Sequence, residues 1–95
     1  MVVTMLEATV AADKEEDLVR EFSGLTGGLP PFIIETFLLR AADSGLWRIV
    51  SVWRSREDLE SYRATVQTPA GVRVFRAAGA EPTLTVFEVA THAAH

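Results

Sequence analysis

"LWRIVSVWR", residues 46–54, reads as a β-strand with two apolar faces. Taken alternately, it sets Trp47, Ile49, Ser51 and Trp53 on one side and Arg48, Val50, Val52 and Arg54 on the other. A strand of an antiparallel sheet with one solvated face carries apolar residues on one side only. Both faces of this strand therefore need cover, and the rest of the chain has to supply it.

The same doubling recurs in the other strand-like stretches. "VVTMLEATV", residues 2–10, is β-branched and apolar and reads as a first strand. It sets Val2, Leu6, Ala8 and Val10 against Val3 and Met5. "FIIETFLLRA", 32–41, is a second strand, with Phe32, Ile34 and Leu38 against Ile33, Phe37 and Leu39. "ADSG", 42–45, has turn composition and joins it to 46–54 as a hairpin. "PTLTVFEVATH", 82–92, is a fourth strand, with Leu84 and Val86 against Phe87 and Val89, followed by a frayed tail.

Helical signals fill the two gaps. In "AADKEEDLVREFSGLTGG", Asp13 with Glu16 three residues later is a helix-start pattern, and acids crowd the first turn. Leu18, Phe22 and Leu25 recur at helical spacing; Gly27, Gly28, Pro30 and Pro31 stop the helix. After the third strand, Ser55 is a cap with Asp58 at the reciprocal position, and Leu59, Tyr62 and Val66 line one face. Thr68 as N-cap and Pro69 at the first helical position predict a second short helix or a kinked extension, with Val72 and Phe75 inward and Gly79 at its end.

The order β-α-β-β-α-β, with two right-handed crossovers, predicts a ferredoxin-like α+β sandwich: a four-stranded antiparallel sheet ordered 4-1-3-2 with the helices on one face, as a single domain over residues 1–95. The second sheet face is then apolar and bare. A second copy of the same sheet is the simplest cover, giving a dimeric α/β barrel. Burial of apolar surface at roughly 25 cal/mol per Å² favours that arrangement over exposure, so an obligate homodimer is expected.

Composition narrows the function. The chain has 95 residues, 48% of them hydrophobic, and a net charge of −4. Its eight arginines and single lysine, Lys14, are scattered, so no phosphate-binding surface and no nucleic-acid partner are expected. There is no cysteine, hence no disulfide and no thiolate chemistry. No apolar run reaches the roughly 18 residues of a membrane span, and the N-terminal stretch lacks a signal-peptide pattern; a cytoplasmic protein with no membrane partner is the expectation. No Gly-rich phosphate loop, metal-ligand cluster or Ser/His/Asp set is evident, and neither a metal nor a cofactor is expected.

The element order, together with "VSVWRSREDLESYRAT" at the third strand–second helix junction, resembles the antibiotic-biosynthesis monooxygenase family of dimeric α/β barrels. The shared stretch is Trp53-Arg54-Ser55-Arg56-Glu57, followed by Leu59 and Tyr62. The resemblance implies a small-molecule pocket between the sheet and its helices. Some members oxygenate quinol-like or polyketide aromatics with O₂ and no cofactor; others bind and degrade haem. It also implies that Trp53 is a pocket tryptophan and that Arg73 lies near a pocket-lining arginine. Family members use a pocket asparagine, but this chain has no Asn, and Ile49 stands four residues before Trp53 where some members carry it. Haem degraders need an axial histidine in the second helix, whereas His92 and His95 are the only histidines and both lie in the tail.

Candidate residues follow. Trp53 and Trp47 share a strand face and are candidates for an aromatic wall, or else ordinary core. Tyr62 can donate its hydroxyl to a substrate oxygen. Arg73, and less so Arg76, can hold an anionic oxygen at a pocket mouth, or else pair with neighbouring acids. Glu7, Glu35 and Glu88 read chiefly as ion-pair partners of the strand arginines Arg40, Arg48 and Arg54. The expected activity is a cofactor-independent monooxygenase on a small aromatic or quinol-like substrate, with Trp53, Tyr62 and Arg73 in the site. The alternatives are a non-catalytic dimeric barrel that binds a hydrophobic small molecule, and an isomerase of the same architecture.

Overall fold

The computed structural model describes residues 1–25 and 27–95. The elements are β1 (Val2–Thr9), α1 (Glu15–Leu25), β2 (Ile33–Arg40), β3 (Leu46–Trp53), α2 (Arg56–Thr65), α3 (Ala70–Ala77) and β4 (Thr83–Glu88), with a 3-10 turn at Ala12–Lys14 before α1. The strands form one antiparallel sheet in the order β2-β3-β1-β4. This is the expected ferredoxin-like order read from the other edge.

Alternation decides which face the helices cover. Val2, Thr4, Leu6 and Ala8 of β1 and Trp47, Ile49, Ser51 and Trp53 of β3 are buried, while the residues between them are not. Leu18 of α1 and Val74 and Phe75 of α3 close over that face, and Leu18 and Phe75 are fully enclosed. The core falls into two clusters, a larger one around Trp47, Ile49 and Phe75 and a smaller one of Val2, Trp53 and Leu59. Gly71 matters to this packing: a Cβ there would fall 2.6 Å from Cδ1 of Leu6, so α3 approaches β1 at a residue with no side chain.

The opposite face carries Ile34 (58% exposed), Phe37 (43%), Leu39 (47%) and Phe87 (48%). These are far more open than large apolar residues of a closed core. An ion pair from Arg48 Nε to Glu7 Oε2, at 3.1 Å, lies across β1 and β3 on the same face.

Several local expectations are corrected. The second strand does not alternate simply: Ile33 pairs with Trp53 but Glu35 pairs with Val52, so Ile34 is an extra, bulged residue. The bulge puts Ile33 with Leu38 on the helix side and turns Ile34 out, which a strict period of two cannot register. The first helix begins at Glu15; Asp13 lies in the 3-10 turn, and Ala11 caps that turn with no side-chain hydrogen bond. Ser55 does cap α2, accepting from Asp58 N at 3.1 Å, and the Asp58 carboxylate accepts from Arg54 Nε at 2.7 Å. After α2, Val66 is extended (φ −114°, ψ 140°), so α3 is a separate helix and not a kinked extension. Pro69, not Thr68, holds the N-cap position of α3. The fourth strand ends at Glu88, six residues in all, because β1 begins at Val2 and offers no partner beyond the Val89 N–Met1 O bond of 3.1 Å.

Candidate functional site

Between the two core clusters, the inner sheet face and the helices enclose a cavity of about 340 Å³. That is the small end of the roughly 300–1,000 Å³ range of ordinary small-molecule sites. Its floor is the sheet. Thr4, Ser51 and Thr36 sit side by side on β1, β3 and β2, since Ser51 pairs with both Thr4 and Thr36. A row of hydroxyls thus crosses an otherwise apolar floor, and Thr36 Oγ1 lies 2.9 Å from Ser51 Oγ. Among the described residues, no buried side-chain nitrogen or oxygen lacks a hydrogen-bond partner.

One end wall is aromatic. Trp53 stacks on Phe32 with ring centroids 5.9 Å apart and an interplanar angle of 23°. Tyr62 closes on Trp53 at 5.3 Å and meets Phe32 edge-on at 6.4 Å. Such offset and edge contacts suit the quadrupoles of the rings. The indole is fixed in rotation as well, because Trp53 Nε1 donates to Thr4 Oγ1 at 2.9 Å. The hydroxyl of Tyr62 accepts from Ala70 N at 3.0 Å. It caps α3, whose N-cap residue Pro69 has no side-chain acceptor, and its own proton stays available for donation.

The expected site residues thus come together in part. Trp53, Tyr62 and Arg73 all line the cavity. Trp47 does not: it is buried at the other end of β3, donates Nε1 to Glu15 Oε2 at 2.8 Å, and carries the Arg40 guanidinium 5.7 Å from its ring centroid. Arg76 is engaged elsewhere, in a two-point pair with Glu81 (3.0 and 2.8 Å) that holds the Glu81 carboxyl below its ordinary range. Glu7 and Glu88 pair with Arg48 and Arg56; Glu35 is exposed and away from the cavity. Arg54 pairs with Asp58, and Arg40 faces Trp47 instead of an acid. His92 and His95 are exposed in the C-terminal segment, which has no regular structure.

Two features escaped the sequence reading. The hydroxyl row was legible in principle, as polar residues at inward positions of three strands. Arg63, on α2 beside Tyr62, also lines the cavity; its only signal was its spacing of four from Leu59 and three from Val66 on the inward stripe.

In sum, the geometry offers an apolar chamber with an aromatic end wall, ordered hydroxyls on the floor, one hydroxyl donor and two arginines. Among the described residues no group of three His, Asp or Glu is placed to hold a metal ion, and no helix is long and apolar enough to cross a membrane.

Comparison with known proteins bears on this arrangement. A Deinococcus radiodurans protein proposed to be an antibiotic biosynthesis monooxygenase superposes with a TM-score of 0.76 at 10% identity, over 100% of this chain and 98% of its own. The haem-degrader MhuD of Mycobacterium tuberculosis, solved with two haems in its active site, gives a TM-score of 0.71 at 19% identity over 99% and 100%. SnoaB, a cofactor-independent oxygenase of Streptomyces nogalater solved as a variant, gives 0.66 at 18% over 96% and 94%. At such identities the likeness is one of fold. No match is found among curated proteins. The family model for antibiotic biosynthesis monooxygenases matches residues 1–81, and this chain belongs to that family.

Proposed function

We propose that the chain is a cofactor-independent monooxygenase acting on a small aromatic, quinol-like substrate held in the cavity between sheet and helices. The observation that carries this reading is the convergence of Trp53, Tyr62 and Arg73 on one apolar chamber. A flat ring stacks against the Trp53–Phe32 wall, and the Tyr62 proton meets a substrate oxygen on which charge develops. Arg73 favours an anionic substrate. The ionised phenol then reacts with O₂ directly. A phenol with a free para position gives a quinone: one oxygen atom enters the ring, the other leaves as water, and the substrate supplies all four electrons. SnoaB, of the same fold, is a cofactor-independent oxygenase, which supports the assignment. Haem as substrate, as in MhuD, fits less well, because no histidine lines the cavity to serve as an axial ligand.

The working unit in this proposal is a homodimer joined through the exposed sheet face, with the two cavities on the helix sides. A screen of quinols, naphthols and flavonoid-like aromatics by thermal shift, followed by oxygen uptake on the hits, tests the activity. Protein-dependent oxygen consumption is expected, lost in Trp53→Ala and Arg73→Ala variants that remain folded. Binding without oxygen consumption would assign the chain to ligand capture instead.

A further inference from the structure

The eight arginines divide sharply. Arg20, Arg48, Arg54, Arg56 and Arg76 each pair with a carboxylate, and Arg40 lies over the Trp47 ring. Among the described residues only Arg63 and Arg73 have neither, and both line the cavity. This holds in a chain whose thirteen acids outnumber its nine bases. None of those acids lines the cavity. The two guanidiniums come from different helices, α2 and α3, and face a chamber whose remaining lining is apolar or hydroxyl-bearing.

A guanidinium is a planar fork of donors matched to a carboxylate. Two unneutralised guanidiniums beside an apolar chamber define a ligand with two parts, a ring system for the chamber and an anion for its arginine side. We propose that the natural ligand is an aromatic acid, its ring against the Trp53–Phe32 wall and its carboxylate held jointly by Arg63 and Arg73. Arg63 is then a specificity-determining residue alongside Arg73. The inference rests on the cavity being a small-molecule site. It makes no use of the oxygenase chemistry. The exposed sheet face lies on the opposite side of the sheet from the cavity that both arginines line.

The test uses matched probes on the full chain: naphthalene and anthracene carboxylates, each beside its neutral carboxamide, with affinity read by calorimetry. The acids should bind about tenfold tighter than the amides, the factor being held down by water at the exposed guanidiniums. The preference should shrink as salt is raised. In the Arg63→Gln/Arg73→Gln double variant the ratio of acid to amide affinity should fall to about one, and Arg63→Gln alone should lower it part of the way. Equal affinities for acid and amide would overturn the carboxylate proposal and leave the cavity standing as a neutral-ligand site. Failure of every probe to bind would overturn both the proposal and the small-molecule reading beneath it. Unchanged acid preference in the double variant would likewise overturn it.

Discussion

The indole N–H of Trp53 donates to the Thr4 hydroxyl at 2.9 Å, so a buried hydrogen bond ties β3 to β1 beneath the cavity. Trp53 is 5% exposed and Thr4 8%. Thr4→Val keeps the shape and strands the indole donor. A loss of about 1–3 kcal/mol is expected, the desolvation penalty of an unpaired buried group. In a Trp53→Phe background the donor is already gone, and Thr4→Val should then be nearly neutral. Urea denaturation of the four proteins measures the coupling. Additive losses would mean that the bond contributes nothing.

Tyr62 serves the fold and the cavity at once. Its oxygen caps Ala70 N, and its ring packs on Trp53. Tyr62→Phe keeps the ring and removes the cap, so a loss of about 0.5–2 kcal/mol is expected, in the range of helix N-caps. The local signature is faster hydrogen exchange at the Ala70 amide. An unchanged Ala70 amide with reduced ligand affinity would place the hydroxyl in binding alone.

The contrast between Trp53 and Arg63 shows what the chain sequence discloses. The inward face of residues 46–54 follows from alternation, because strand geometry forces successive side chains to opposite sides. Helix α2 is likewise announced by Ser55 and the Leu59–Tyr62 spacing. The bulge at Ile34 is not, since it arises from how β2 fits β3 and leaves the composition unchanged. Nor is the cap on α3, where the acceptor comes from a residue eight positions earlier on another helix. Arg63 looks like any solvated helix charge; its distinction is the lack of a carboxylate, which only the folded arrangement of all thirteen acids determines.

The Asp58–Arg54 pair supplies a pH dependence with a definite sign. The hydrogen bond from Arg54 holds the Asp58 carboxyl below its ordinary value, with the Ser55 hydrogen bond and the Arg54 charge adding to it against some desolvation. A carboxyl whose folded-state pKa is depressed stabilises the fold above its unfolded-state pKa. That contribution is lost as pH falls through the folded value. The pair is exposed, so the effect on stability is small and is best read on the group itself. In Arg54→Gln, the Asp58 titration followed by NMR should move up toward the ordinary carboxylate range. An unmoved titration would show that Ser55 alone sets it.

The outer sheet face makes the largest demand on the molecule. Phe37 faces its cross-strand partner Val50, Val50 faces Met5, and Phe87 faces Val3, so apolar side chains run across all four strands from Phe37 to Phe87. Monomeric proteins seldom expose a continuous apolar patch of more than a few hundred Å². A second sheet packed on this one would cover it at the usual spacing of about 10 Å. The chain should therefore sediment at twice its 10.4 kDa mass at micromolar concentration, with a melting temperature that rises with protein concentration, since association stabilises by mass action. Phe37→Glu with Phe87→Glu places two charges in that contact and should give a monomer with a lower, concentration-independent melting temperature. A wild-type protein that sediments as a folded single copy at that concentration would show that the exposed face is stable in water, and the paired-sheet assembly would have to be abandoned.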